Sequence, residues 1–276
     1  MIPTEFPSLH LRSPDGAHAT IALDGGHVTS WVPATEHENR LFVSARSTYG
    51  PGKAIRGGIP VIFPQFGAFG SLRQHGFARL CRWTVDGSRT FAGAGRGQLH
   101  LSDSDDTRTQ WPHAFSADLS IVVEGVALAV AMTIRNTDTS PIAFTAAFHP
   151  YFAVRDAFTT RVEGLSGCRY RDSLLEGQMV VEAAPVLQIT GPLDRIYSNA
   201  PDRLVIRDGA RSIIIEKSGF PEAVVWNPGI EGTRSRADFA EGEEQGMLCV
   251  EAAAIQHPIV LAPDESWTGT QRMTTA

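Results

Sequence analysis

No segment of this chain carries a helical period long enough to build a helical core, and that narrows its possible folds more than any other feature. Apolar residues come instead in short β-branched or alternating runs, among them residues 27–32, 115–123, 126–135, 142–154, 204–207, 247–254 and 266–273. Alternation sends successive side chains to opposite faces, so each strand offers one face to a core. Turn-forming residues separate the runs, as at Asp24-Gly25-Gly26, residues 136–141 and Asn227-Pro228-Gly229. Glu124-Gly125 and Asp208-Gly209 read as two-residue hairpin turns. Strands joined in this way pair antiparallel, and burying their apolar faces yields a sandwich or barrel. There is no repeat, low-complexity tract or linker, so residues 1–276 read as one all-β domain.

Charge and cysteine usage exclude several functions. The net charge is −6, with both signs interspersed, which disfavours a nucleic-acid partner. Cys81, Cys168 and Cys249 are odd in number and far apart, the pattern of neither a disulfide framework nor a zinc site. Residues 1–7 have no basic or apolar leader pattern, and no uninterrupted apolar run approaches membrane-span length. The expectation is a cytoplasmic, monomeric protein whose partner is a small molecule.

The stretch from Ala54 to Arg79 concentrates glycine, proline and apolar residues around a few polar groups, namely Arg56, Gln65, Gln74, His75 and Arg79. It reads as the wall of a polar-ligand pocket, with the arginines inviting phosphate or sugar oxygens. Gly57 and Gly58 are expected to bring backbone N–H groups to the same oxygens; salt bridges are the plainer use for both arginines. In the 142–154 run, Ile142, Phe144, Ala146 and Phe148 share one face, while Thr145, Ala147, His149 and Tyr151 share the other. Pro150 cannot donate to a sheet, so pairing should loosen there. His149 is either ligand-facing or a half-buried core histidine. Glu251 has apolar neighbours on both sides, which suits an inner strand. A carboxylate there is costly unless paired or left with a raised pKa, and a raised pKa suits a general base. Trp226 can stack on a sugar face or fill core. Asp194, read as lying at the end of a loop, can accept from hydroxyls or serve a turn.

Taken in order, the sequences around Arg56, Gln74–Arg79, Phe148–Phe152, Asp194–Tyr197, Val225–Pro228, Asp238-Phe239 and Cys249–Ala253 resemble the glucose-6-phosphate 1-epimerases, a branch of the aldose 1-epimerase superfamily. The resemblance runs from about Gly26 to Trp267. It implies a large antiparallel β-sandwich of the galactose-mutarotase type, acting on hexose 6-phosphates with no cofactor or metal. It also implies His149 as general acid, Glu251 as general base, and Arg56, Gln74, His75, Arg79 and Asp194 as substrate contacts. Near pH 7 these roles require a protonated His149 beside an ionised Glu251, which mutual attraction would favour. Two departures bear on specificity: Pro150 stands where the family often has threonine, and residues 229–239 are rich in glycine and arginine. Epimerisation of unphosphorylated aldoses, or sugar binding without turnover, are the alternatives.

Overall fold

A computed structural model describes residues 6–91 and 93–276; residues 1–5, part of the segment read for a leader, lie outside the described residues. Three antiparallel sheets dominate. A three-stranded sheet is formed by Ser8–Arg12, His18–Ala22 and His27–Val32. A nine-stranded sheet has at its centre Arg211–Ser218, Ser266–Thr275, Ala127–Asn136 and Phe115–Glu124. An eight-stranded sheet runs in the order Gln178–Val181, Arg169–Asp172, Leu193–Tyr197, Glu222–Asn227, Met247–Leu261, Ile142–Phe148 and Val61–Ile62, with Tyr151–Ala153 also paired to Met247–Leu261.

The alternation seen in the sequence explains how these sheets pack. Phe144, Ala146 and Phe148 join Leu248, Val250, Ala252, Ala223 and Val225 in the main core. The nine-stranded sheet contributes Leu119, Ile121, Val130, Met132, Leu204 and Met273 to that core, and Leu11, Ile21 and Trp31 come from the small sheet. One polar tie crosses the interior, where buried Gln271 donates from Nε2 to the Val250 carbonyl at 3.1 Å. The opposite face of the eight-stranded sheet carries Ala147, Asp194, Ile196, Val224, Trp226, Cys249, Glu251 and Ala253. This face is roofed by residues 54–79, and the Phe66 N–H donates to Thr145 Oγ1 at 2.7 Å to hold the roof down.

Several expectations shift by small amounts. The hairpin loops are Gly125-Val126 and Gly209-Ala210, one residue later than read, because Glu124 pairs with Ala127 and Asp208 with Arg211. The glycines take the first loop position at φ of 53° and 62°. Leu193–Tyr197 is a strand, not a loop end, so Asp194 sits on the sheet itself. Residues 247–261 form one strand with an irregularity between Ala254 and Ile259. Helices are short, Asp105–Gln110 and Gly229–Arg234, and none among the described residues is long and apolar enough to cross a membrane.

Candidate active site

The site grows out of one break in one strand. Ile142–Phe148 stops before His149-Pro150 and pairing resumes at Tyr151. Phe148 lies opposite Ala252 and Tyr151 opposite Cys249, so three residues advance on each strand and His149 is carried opposite Glu251. Pro150 therefore interrupts the hydrogen bonding without shifting the register. The His149 N–H goes instead to the Pro60 carbonyl at 3.1 Å, and the Tyr151 N–H to the Gly58 carbonyl at 2.8 Å. His149 Nε2 ends 3.3 Å from Glu251 Oε1, with side chains 10% and 1% exposed. The His149 ring stacks on Tyr151 at 4.9 Å and 9° and meets the edge of Trp226 at 5.9 Å.

All seven residues singled out by the resemblance, Arg56, Gln74, His75, Arg79, His149, Asp194 and Glu251, line a single cavity of about 450 Å³. That volume lies in the range of small-ligand sites. Tyr151, Trp226, Arg171, Ser173, Arg236 and Asp238 complete its wall. The sequence left Arg171, Ser173 and Arg236 unassigned. Arg171 lies on the strand Arg169–Asp172 and Ser173 opens the short 3-10 turn after it, and nothing local says that either looks into a cavity.

The two arginines of the roof differ. Arg56 is committed: Nε and Nη2 meet Asp238 Oδ2 at 3.0 and 2.9 Å, Nη1 donates to the Tyr151 hydroxyl at 2.8 Å, and the guanidinium lies 4.9 Å over Phe239. Burial opposes its charge, yet Tyr151 and Asp238 outweigh burial and raise its pKa. Arg79 donates from Nη2 to the Gln74 carbonyl at 2.8 Å, while its buried Nε has no hydrogen-bond partner. Among the described residues no carboxylate lies within ion-pair distance of it. Burial first, with Arg56 and Arg73 adding repulsion, brings its pKa down to about 10.

The Gly58 amide is not offered to a ligand: its N–H donates to the Phe42 carbonyl at 2.7 Å, and the Gly57 carbonyl accepts from His27 Nε2 at 2.6 Å. Both residues are glycines because backbone passes close by: a Cβ on Gly57, at φ 114°, would lie 2.3 Å from the Phe42 oxygen. Gln65 is likewise structural, donating to the Gly67 and Leu72 carbonyls at 3.1 and 3.0 Å and accepting from the Leu72 N–H.

Electrostatics set the protons. Burial, aided by Asp194, pushes the Glu251 carboxyl well above the ordinary range. Burial also pushes His149 well below its ordinary value, and His75, Arg56 and Arg79 push the same way. Both directions favour a neutral carboxylic acid beside a neutral imidazole over the ion pair that the sequence suggested. The two forms hold the same number of protons. His75 is held neutral, at about 3, by burial, Arg79 and Arg56. Its Nδ1 accepts from the Gly67 N–H at 3.2 Å, so its own proton is on Nε2. Its ring contacts that of His149 at 5.6 Å. Asp194 is raised by burial, while a hydrogen bond from Ser173 opposes the shift. His149 Nδ1 and Glu251 Oε2 are buried without hydrogen-bond partners, the mark of a site that keeps polarity in reserve for chemistry.

The chain is similar to known proteins over most of its length. A protein of Cenchrus ciliaris provisionally named glucose-6-phosphate 1-epimerase is 36% identical over 97% of this chain and 84% of its own length. An Escherichia coli protein with the same provisional name is 33% identical over 85% of this chain and 79% of its own. The crystal structure of a provisionally assigned mutarotase from Salmonella typhimurium superposes with a TM-score of 0.87 at 28% identity, covering 94% of this chain and 87% of that one. A galactose-mutarotase-related enzyme from Lactobacillus acidophilus, 15% identical, shares the fold with a TM-score of 0.75 over 98% of this chain and 97% of its own. The aldose 1-epimerase family profile matches residues 7–274, and the chain belongs to that family.

Proposed function

We propose that the chain interconverts the α and β anomers of a hexose 6-phosphate, with D-glucose 6-phosphate, the sugar in its relatives' names, as substrate. The observation that carries this reading is the buried pair of His149 and Glu251 in the same cavity as Arg79, a half-buried cation whose Nε is buried and which has no carboxylate partner among the described residues. A lone guanidinium in a pocket favours an anion, and a phosphate accepts its planar donors well.

Mutarotation opens the ring by removing the proton of the anomeric hydroxyl and protonating the ring oxygen. Glu251 takes the first proton and His149 supplies the second. The aldehyde then turns its other face and the ring closes, Glu251 returning its proton to the anomeric oxygen and His149 recovering its own from the ring oxygen. Each placed group is worth about 10²–10⁴-fold in rate. In this reading Arg79 binds the phosphate, and Arg56 adds its charge from its seat between Asp238 and Tyr151. Gln74 and His75 contact the substrate, His75 as a donor from Nε2, and Asp194 receives sugar hydroxyls. The main core, which draws on residues from Leu11 to Met273, supports one domain for the whole chain. The free Cys81, Cys168 and Cys249 support a reducing, cytoplasmic setting, and we take the monomer as the working state.

The test is anomer exchange by NMR saturation transfer on glucose 6-phosphate, with glucose and galactose run beside it. Acceleration of the phosphosugar that Glu251→Gln abolishes is the expected result. Acceleration of unphosphorylated sugars alone removes the phosphate from this reading. Binding without acceleration of any sugar removes catalysis.

A further inference from the structure

The charges around the His149–Glu251 pair are unevenly placed. Arg56 and Arg79 act on His149, the neutral His75 meets its ring at 5.6 Å, Tyr151 and Trp226 pack against it, and Asp238 pairs with Arg56 and offsets Arg79 only weakly. On the other side, Asp194 faces Glu251. Moving a proton from Glu251 to His149 therefore carries positive charge toward the arginines and leaves negative charge beside Asp194. Both effects oppose the transfer, and the one half-buried cation lacking a carboxylate partner among these groups, Arg79, contributes directly.

We propose that the phosphate of the substrate, seated at Arg79, acts on the chemistry as well as on affinity, by drawing the proton shared by Glu251 and His149 onto His149. This rests on the proposed function, and it concerns the step before ring opening. The proton leaves the Glu251 carboxyl and binds the His149 imidazole across their 3.3 Å contact, so the charge of the pair as a whole does not change. A dianion at Arg79 attracts the moving proton, and both arginines act on His149, Arg56 from its seat on the Tyr151 hydroxyl, whose ring stacks on that of His149. The result is the pair that epimerisation uses: an ionised base and a protonated acid. Arg79 is then a specificity-determining residue. A sugar without phosphate can occupy the site, but it meets the pair with its proton on the wrong partner.

Two measurements test this. In the first, the wild-type protein epimerises unphosphorylated glucose with and without phosphite dianion, occupancy being followed by phosphorus NMR. Saturable acceleration of about tenfold or more is expected, one pKa unit of proton redistribution being tenfold, and Arg79→Ala should lose it while Arg79→Lys keeps part of it. In the second, the ¹⁵N shifts of His149, assigned by their loss in His149→Asn, are recorded with 1,5-anhydroglucitol and with 1,5-anhydroglucitol 6-phosphate, neither of which can react. The phosphorylated probe alone should give the imidazolium pattern. The proposal is overturned if His149 stays neutral with the phosphorylated probe bound, or is already imidazolium without it. It is equally overturned if bound phosphite leaves glucose turnover unchanged. If glucose 6-phosphate itself is not epimerised, the proposed function has failed; if it is epimerised while His149 does not respond, only the charge coupling has.

Discussion

Replacing Glu251 by Gln should make the protein more stable while removing its activity, and the stability gain should grow with pH. Glu251 is 2% exposed, and burial pushes its carboxyl well above the ordinary range, with Asp194 adding to the effect. In the unfolded chain the same carboxyl ionises above about 4.5. Its folded pKa is raised, so the stability linked to it is present below the unfolded value and is lost as pH rises. His149 is shifted the other way, from 6.5, and loses stability as pH falls. Between about 4.5 and 6.5 the unfolded wild-type pair and the folded neutral pair bind the same number of protons, so these two groups give wild-type stability no slope. In Glu251→Gln only His149 titrates, and stability rises with pH over that interval. Above 6.5 the variant levels off and the wild type declines. The difference therefore widens throughout, by up to about 1.4 kcal/mol per pH unit, or roughly 2–3 °C in melting temperature per unit for a chain of this size. Gln keeps the shape and can still hydrogen-bond to His149, so little packing is lost. Urea and thermal melts at pH 5, 6, 7 and 8 measure the gap, and anomer exchange measures activity, expected to fall about 10²–10⁴-fold. A variant less stable than wild type at pH 8 would refute the reasoning, because it would mean that the folded protein holds a stabilising Glu251 carboxylate–His149 imidazolium pair.

Three further outcomes follow from the site and its frame. His75, at about 3, should show no titration in its ¹⁵N shifts from pH 5 to 9 and should keep its proton on Nε2; a midpoint inside that range would contradict its burial beside Arg79. Asp238→Asn should free Arg56 and raise KM for glucose 6-phosphate about tenfold, worth about 1.4 kcal/mol for a half-buried charge-assisted contact, with a smaller change in kcat; a fall in kcat alone would give Arg56 a different part. Gly57→Ala should destabilise by about 3 kcal/mol or more, since its Cβ would meet the Phe42 oxygen and the residue sits at φ 114°, and a urea midpoint near wild type would overturn that assignment.

Much of this protein was legible in its sequence because alternation is a local property. The face of the 142–148 strand that enters the core, Ile142, Phe144, Ala146 and Phe148, follows from period 2 alone, and so does the sharing of the other face by Ala147 and His149. The loosening at Pro150 followed from its missing N–H. The errors were local too. Asp194 was read as loop because flanking Gly191 and Pro192 resemble a turn, whereas pairing with Trp226 makes it strand. The hairpins were misplaced by one residue because an Asp-Gly or Glu-Gly pair does not say which of its members closes the ladder.

What the sequence determined by itself was the fold class, the inner-strand position of Glu251 and, through the family's ordered motifs, the residues of the cavity. How those residues are arranged there follows from packing between distant segments. That packing brought His149 opposite Glu251 through the register that Pro150 leaves intact, gave Arg56 to Asp238, left Arg79 without a carboxylate among the described residues, and turned the Gly57-Gly58 backbone toward its neighbours. Proton placement on the pair belongs to the same level. It depends on the distances and burial of charges that lie far apart along the chain, such as Arg79, His149, Asp194 and Glu251, and no local pattern encodes those.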